Sequence, residues 1–91
     1  MKVQDILTDE AHWTKGAFAR LNGAIVSNYM TGKADCFCLW GAVERVYGEN
    51  SDQEQRLRDR LQEIRGSDSI AGFNDNATFP EVRALIEELD I

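Results

Sequence analysis

The sequence has no long apolar run, only one histidine, two cysteines and no excess of basic residues. No stretch approaches the roughly 18 consecutive apolar residues of a transmembrane helix, so no membrane partner is expected. The first residues lack the apolar centre of a signal peptide, and two cysteines without an export signal favour reduced thiols and a cytoplasmic location. The net charge of −6 disfavours nucleic acid as a partner, because phosphate groups select basic surfaces.

The composition is that of one folded domain. Apolar residues make up 43% and charged residues 29% of the 91 residues, which predicts a single domain over residues 1–91. The charge is uneven: residues 1–48 have five basic and five acidic side chains, whereas residues 49–91 have five basic and eleven acidic ones. The simplest interpretation is two helices with solvated acidic faces, and the alternative is an acidic surface that docks a basic partner.

A helix over residues 36–47 is predicted to lie at the centre of the core. Asp35 is placed to cap it and Gly48 to end it, while Glu44 and Arg45 fall outside its apolar sector. A glycine at position 41, inside this helix, predicts a close approach by another backbone segment. At 100° per residue the sector contains Cys36, Leu39, Trp40, Val43, Val46 and Tyr47.

Three further segments have helical signals. The first covers residues 2–12, with an end or a restart at Thr8. The second opens with a Ser-x-x-Glu capping box at residues 51–54 and ends at Gly66. The third opens with a Thr-x-x-Glu capping box at residues 78–81, with proline in its first turn.

Asn22-Gly23 separates two short segments rich in residues that strands tolerate, and this dipeptide favours a type I′ hairpin turn. Residues 28–34 then read as a loop. The predicted fold class is therefore mainly α: a compact four-helix single domain with one small β-hairpin at about residues 17–27.

The segment of residues 70–76 combines apolar and turn-forming side chains. Ile70 and Phe73 are candidates for the core, whereas Asn74 and Asp75 favour turns because their side chains imitate backbone groups. We expect the two polar side chains to satisfy local amides, and the alternative is a polar pair that faces a ligand.

Three motifs follow one another along the chain: Trp-x-x-Gly at residues 13–16, Cys-x-x-Gly-Ala at residues 38–42, and an aromatic residue followed by Asn-Asp at residues 73–75. In this order the chain resembles a family of small bacterial and phage-associated proteins of unknown function, over about residues 11–89. Cys38 matches the cysteine of the family pattern, and Cys36 is additional. The resemblance implies no activity that could be transferred to this chain.

The cysteines are the only candidate nucleophiles that the sequence singles out. A thiol in the first turn of a helix is activated by the helix dipole, and His12 is the only imidazole. Cys38 with His12 as base and Asn74 or Asp75 as orienting group would form a thiol-dependent site. We also predict no disulfide, because Cys36 and Cys38 would point to opposite sides of a helix. With three Cys or His residues in all, we predict no metal site and no cofactor.

The absence of a recognisable catalytic constellation favours a cytoplasmic interaction or regulatory module that acts through protein contacts, with self-association as one possibility. Trp13 and Phe18 are expected in the core, or alternatively in an exposed anchor patch. The alternative function is a thiol-dependent enzyme or a small-ligand-binding protein that uses Cys38, His12 and the Asn74-Asp75 segment. Candidate ligand-binding residues are Trp13, Asn74 and Asp75.

Overall fold

The computed structural model of the chain describes residues 1–26 and 34–91. Within them, five α-helices and a small three-stranded antiparallel sheet form one domain, with a single 3-10 turn at Glu10–His12. This confirms the mainly α class, with one more helix and one more strand than predicted. The elements in chain order are α1 (Val3–Ile6), β1 (Ala19–Leu21), β2 (Ala24–Ile25), β3 (Cys36–Phe37), α2 (Leu39–Tyr47), α3 (Asp52–Arg65), α4 (Ile70–Asn76) and α5 (Phe79–Leu89).

The predicted hairpin is formed by β1 and β2. Leu21 faces Ala24 across the turn, and the central residues Asn22 and Gly23 have positive φ angles of 52° and 85°, as a type I′ turn requires. The strand order is β2-β1-β3, so the third strand joins the other edge of β1. The loop predicted for residues 28–34 lies, except for its last residue, outside the described residues.

The prediction that the central helix starts at Cys36 is wrong. Cys36–Phe37 forms β3 and pairs with β1, and α2 begins only at Leu39. Cys38 is the N-cap, because its Sγ accepts a hydrogen bond from the Gly41 amide at 3.2 Å. Asp35 does not cap the helix, since its carboxylate accepts from a backbone amide of the hairpin turn. Pairing with a strand some 17 residues away thus overrides the helical pattern.

The central position of α2 is confirmed, because it packs against α1, α3 and α4. Trp40 packs against the core as predicted but, like Val46 and Tyr47, is only partly buried. The placement of Glu44 outside the sector is wrong, because Glu44 is buried. The Trp40 indole N–H explains the position of Glu44, since it donates to Glu44 Oε2 at 3.1 Å and to Glu54 Oε1 at 3.3 Å. The fully buried apolar side chains of the core are Val3, Leu7, Ala19, Leu39, Ala42, Val43, Leu57, Leu61, Ile70, Val82, Ile86 and Ile91.

The capping box predicted for α3 is only half formed. Ser51 Oγ accepts from the Glu54 amide at 3.1 Å, as expected. The Glu54 carboxylate, however, turns to Trp40 and to Arg58 rather than back to the serine amide. The reciprocal box of α5 is confirmed, with Thr78 as N-cap and its partner three residues on. Gly66 ends α3 in the left-handed conformation.

The close approach predicted at Gly41 is confirmed. A Cβ atom at this position would lie 2.2 Å from the carbonyl oxygen of Phe18. The same oxygen accepts a hydrogen bond from the Cys38 amide at 3.0 Å. The chain that leads into β1 is therefore pressed directly against the first turn of α2.

The segment predicted to form turns is a short helix, α4. Ser69 caps it by accepting from the Gly72 amide at 3.0 Å. Ile70 and Phe73 are buried in the core, as predicted. Burial of two apolar side chains three residues apart therefore selects a helical turn over separate Asx turns. None of the helices within residues 1–26 and 34–91 has the length and apolar character needed to cross a bilayer.

Candidate functional site

Asn74 joins three distant parts of the chain. Its side chain is fully buried, and its Oδ1 accepts from Trp13 Nε1 at 2.6 Å and from the Leu39 amide at 2.9 Å. Its Nδ2 donates to the Thr14 carbonyl at 3.0 Å. The expectation that Asn74 satisfies local amides is therefore wrong. Its carboxamide instead brings the three sequence motifs together at the start of α2.

Trp13 is half-buried at this junction rather than fully in the core. Its ring packs against that of Phe79 at a centroid distance of 5.9 Å. The Lys15 ammonium lies 5.3 Å from the indole centroid on the outer side. The indole N–H is used by Asn74, so Trp13 serves mainly to fix the chain before residue 16.

Asp75 makes the next contact along α4. Its Oδ1 accepts from the Gly16 amide at 3.1 Å and from Asn74 Nδ2 at 3.4 Å, and the residue is exposed to solvent. It forms no ion pair with any residue that the structure describes. The backbone amide that Asp75 satisfies is therefore distant in sequence, not local as predicted.

A pocket of about 240 Å³ lies between the segment of residues 16–18, the start of α2 and one side of α4. Its rim is formed by Asp75, and the Phe18 and Trp40 rings pack together at 5.0 Å along one wall. Its lining residues are Gly16, Ala17, Phe18, Cys38, Trp40, Ala71, Asn74 and Asp75. Three residues proposed from sequence, Cys38, Asn74 and Asp75, are thus brought together.

The Cys38 thiol lines this pocket but is poorly suited to act as a nucleophile. Burial raises its pKa, which outweighs the opposite effect of the nearby Gly41 and Trp40 amides. The negative charge of Asp75 raises the pKa further. The thiol is therefore protonated at neutral pH. Cys36 is likewise a free thiol whose pKa is raised by burial and by Asp35, and its place in β3 removes the helical argument against a disulfide.

His12 lies outside the pocket. Its Nδ1 is 2.7 Å from Asp9 Oδ1 and 3.4 Å from Thr8 Oγ1, both in its own stretch of chain. The hydrogen bond to His12 lowers the pKa of Asp9. Within the part of the chain that the structure describes, His12 has no hydrogen bond to Cys38. No group of three or more His, Cys, Asp or Glu side chains among the described residues could hold a metal ion.

The model of the family of unknown function DUF6197 matches residues 1–89. The chain belongs to DUF6197. This confirms the expectation of a family without an assigned activity. No curated protein and no solved structure matches the chain.

Sequence reasoning did not assign five residues to the pocket that line it in this DUF6197 chain: Phe18, Trp40, Ala71, Gly16 and Ala17. For Phe18 and Trp40 the sequence contains one signal. The glycine at position 41 predicts a close backbone neighbour, but it does not indicate which segment that neighbour belongs to. Ala71 carried no signal, since its position depends on α4 being helical.

Proposed function

We propose that this DUF6197 chain is a cytoplasmic protein-interaction module and that the pocket beside α4 is the centre of its contact surface. The observation that carries the proposal is the pocket's size and lining. At about 240 Å³ it is smaller than the roughly 300–1,000 Å³ of typical small-molecule and cofactor sites. Its walls are mostly apolar, which suits a single side chain inserted by a partner.

The surroundings of the pocket support the same function. Phe18 is 36% exposed, Leu21 37% and Ile25 65%, and all three lie on the hairpin or just before it. Exposed apolar side chains grouped on one element are typical of contact surfaces. The buried bonds of Asn74 hold the walls of the pocket in place before any partner arrives, which lowers the entropic cost of binding.

Small-ligand binding at the same pocket is the second candidate, because Cys38, Asn74 and Asp75 share its lining. Thiol catalysis is less well supported. The raised pKa of Cys38 and the bonding of His12 to its own helical turn leave no activated thiolate and no adjacent base.

The test uses two matched substitutions of exposed alanines on helices. Ala71→Arg places a long side chain in the pocket, and Ala84→Arg makes the same change on α5. Both variants are expected to fold, because arginine is a good helix former. The native chain and the Ala84→Arg variant should form the same complex or oligomer in crosslinking and light-scattering measurements, and Ala71→Arg should lose it. A monomer with no specific partner contradicts the proposal, and a small molecule retained in native mass spectrometry favours the second candidate.

A further inference from the structure

We propose that the pocket binds an ammonium or guanidinium group, presented as the lysine or arginine side chain of a basic partner protein. This inference rests on the proposed interaction function and names the chemistry of the contact. Three independent features lead to it: the hydrogen-bonding groups of the pocket, its apolar walls and the charge of the surrounding surface.

The pocket offers an acceptor, and three of its N–H donors are already used. The Gly16 amide is bonded to Asp75, and the Asn74 Nδ2 to the Thr14 carbonyl. The Trp40 indole N–H donates to two buried carboxylates. Asp75 keeps acceptor capacity, since only its Oδ1 has partners among the described residues. A ligand that brings its own N–H donors can therefore bind the Asp75 carboxylate, whereas an anionic ligand would meet its negative charge.

The start of α2 would normally favour an anion, because the N-terminus of a helix carries a partial positive charge. Here two of its first amides are already bonded. Asn74 Oδ1 accepts from the Leu39 amide, and Cys38 Sγ accepts from the Gly41 amide. Among the residues that line the pocket, Asp75 is the charged one, and its carboxylate favours a cation over an anion. The Arg20 guanidinium lies nearby, beside Gly16, and its Nη2 donates to the Lys15 carbonyl.

The walls suit the aliphatic part of a lysine or arginine side chain. Phe18, Trp40 and Ala71 supply apolar surface on the way to the Asp75 carboxylate at the rim. Long basic side chains bury their methylene groups along apolar surface while the charged end stays in a polar environment. The pocket, at about 240 Å³, is large enough for one such side chain.

The surface charge supports a basic partner over a neutral one. The net charge of −6 arises entirely from residues 49–91, and every arginine in this part is bonded to a carboxylate or carbonyl group of the chain itself. Asp75 forms no ion pair with any residue that the structure describes, so its carboxylate can pair with a cation of a partner. A surface of one sign attracts partners of the opposite sign and steers their approach.

The direct test is an NMR titration of the ¹⁵N-labelled full chain at low salt. N-acetyl-lysine methylamide is the probe, and N-acetyl-norleucine methylamide is its uncharged match. We expect the lysine compound to shift the amide signals of Gly16, Ala71 and Asp75 and to bind roughly fivefold more tightly than the norleucine compound, as a partly exposed ion pair allows. Added salt should reduce this difference.

Two variants test whether the negative charge of Asp75 is responsible for the tighter binding of the lysine compound. Asp75→Asn keeps an oxygen that can accept from the Gly16 amide, and it should weaken lysine binding about fivefold while leaving norleucine binding unchanged. Asp68→Asn removes one charge from an exposed position outside the pocket lining and should leave both affinities unchanged. If Asp75→Asn fails to fold, the comparison of the lysine and norleucine compounds on the native chain still decides whether the pocket prefers a cation.

The outcomes separate this inference from the interaction function. Equal binding of the two probes, or no shift of the three amides with either probe, overturns the cation site. If the cation site is overturned in this way but the Ala71→Arg variant loses complex formation, the interaction function is still supported. Discrimination by the native chain that Asp75→Asn abolishes and Asp68→Asn preserves supports the cation site.

Discussion

The substitution Gly41→Ala has two effects on the free energy of unfolding, and these effects have opposite signs. Glycine inside a helix is less favourable than alanine by about 1 kcal/mol, so helix propensity alone predicts a stabilised protein. The new Cβ, however, would lie 2.2 Å from the Phe18 carbonyl oxygen and 3.0 Å from its carbonyl carbon. Both obstacles are backbone atoms, which cannot rotate away as a side chain can.

The steric cost exceeds the gain in propensity. Overpacking of this kind costs about 1–3 kcal/mol. Displacing Phe18 also weakens its hydrogen bond from the Cys38 amide, which is worth about 0.5–1.5 kcal/mol. After subtraction of the gain in propensity, we expect a net destabilisation of about 0.5–3.5 kcal/mol.

Urea unfolding followed by circular dichroism measures this difference, with an unchanged slope if the unfolded state is unaffected. Gly72→Ala in α4 is the matched control. The nearest atom to its new Cβ is Ser69 Oγ at 3.0 Å, the cap of α4 on a short exposed side chain. The gain in helix propensity and a weakened cap oppose each other, so the stability should change by no more than about 1 kcal/mol. A Gly41→Ala variant as stable as the native chain would refute the close contact between residues 16–18 and α2.

Three further predictions concern stability. Asn74→Ala should cost about 2–4 kcal/mol in chemical unfolding, because the Trp13 indole and the Leu39 amide lose their buried acceptor; a cost below 1 kcal/mol would contradict the junction. Ser51→Ala should cost about 1 kcal/mol through loss of the cap of α3, and an unchanged midpoint of urea unfolding would contradict the role of Ser51 as this cap. The Thr78 amide and the Arg65 guanidinium lower the pKa of Glu81, so its stabilising effect is present above a glutamate's usual pKa and is lost as pH falls through the lowered pKa of the folded state; Glu81→Gln should flatten the acid limb of a stability–pH profile.

Local signals predicted the parts of the fold that local chemistry determines. Asn22-Gly23 forms the hairpin turn because its two residues accept positive φ, and the Thr78 capping box forms because both partners lie within one turn. The start of α2 could not be predicted in this way. Cys36 sits at a helical spacing, but its backbone bonds to β1 are decided by a strand distant in sequence.

The candidate site was predictable only as a set of residue types. Trp13, Cys38 and Asn74 each stood out in the sequence, yet nothing in their spacing indicated that one carboxamide would join them. Glu54 shows the same limit in the core, since the carboxylate that would complete a capping box is drawn to the Trp40 indole instead. Both outcomes depend on partners supplied by other helices.

The bond from the Leu39 amide to Asn74 has a consequence for hydrogen exchange. The first amides of a helix have no partner within it, so they normally exchange with solvent fastest. In α2 the acceptor is a buried side chain 35 residues further along the chain. The Leu39 amide can therefore exchange only when α4 detaches from α2, and its protection measures the free energy of that local opening. A single backbone proton thus reports whether the two helices on either side of the pocket are docked.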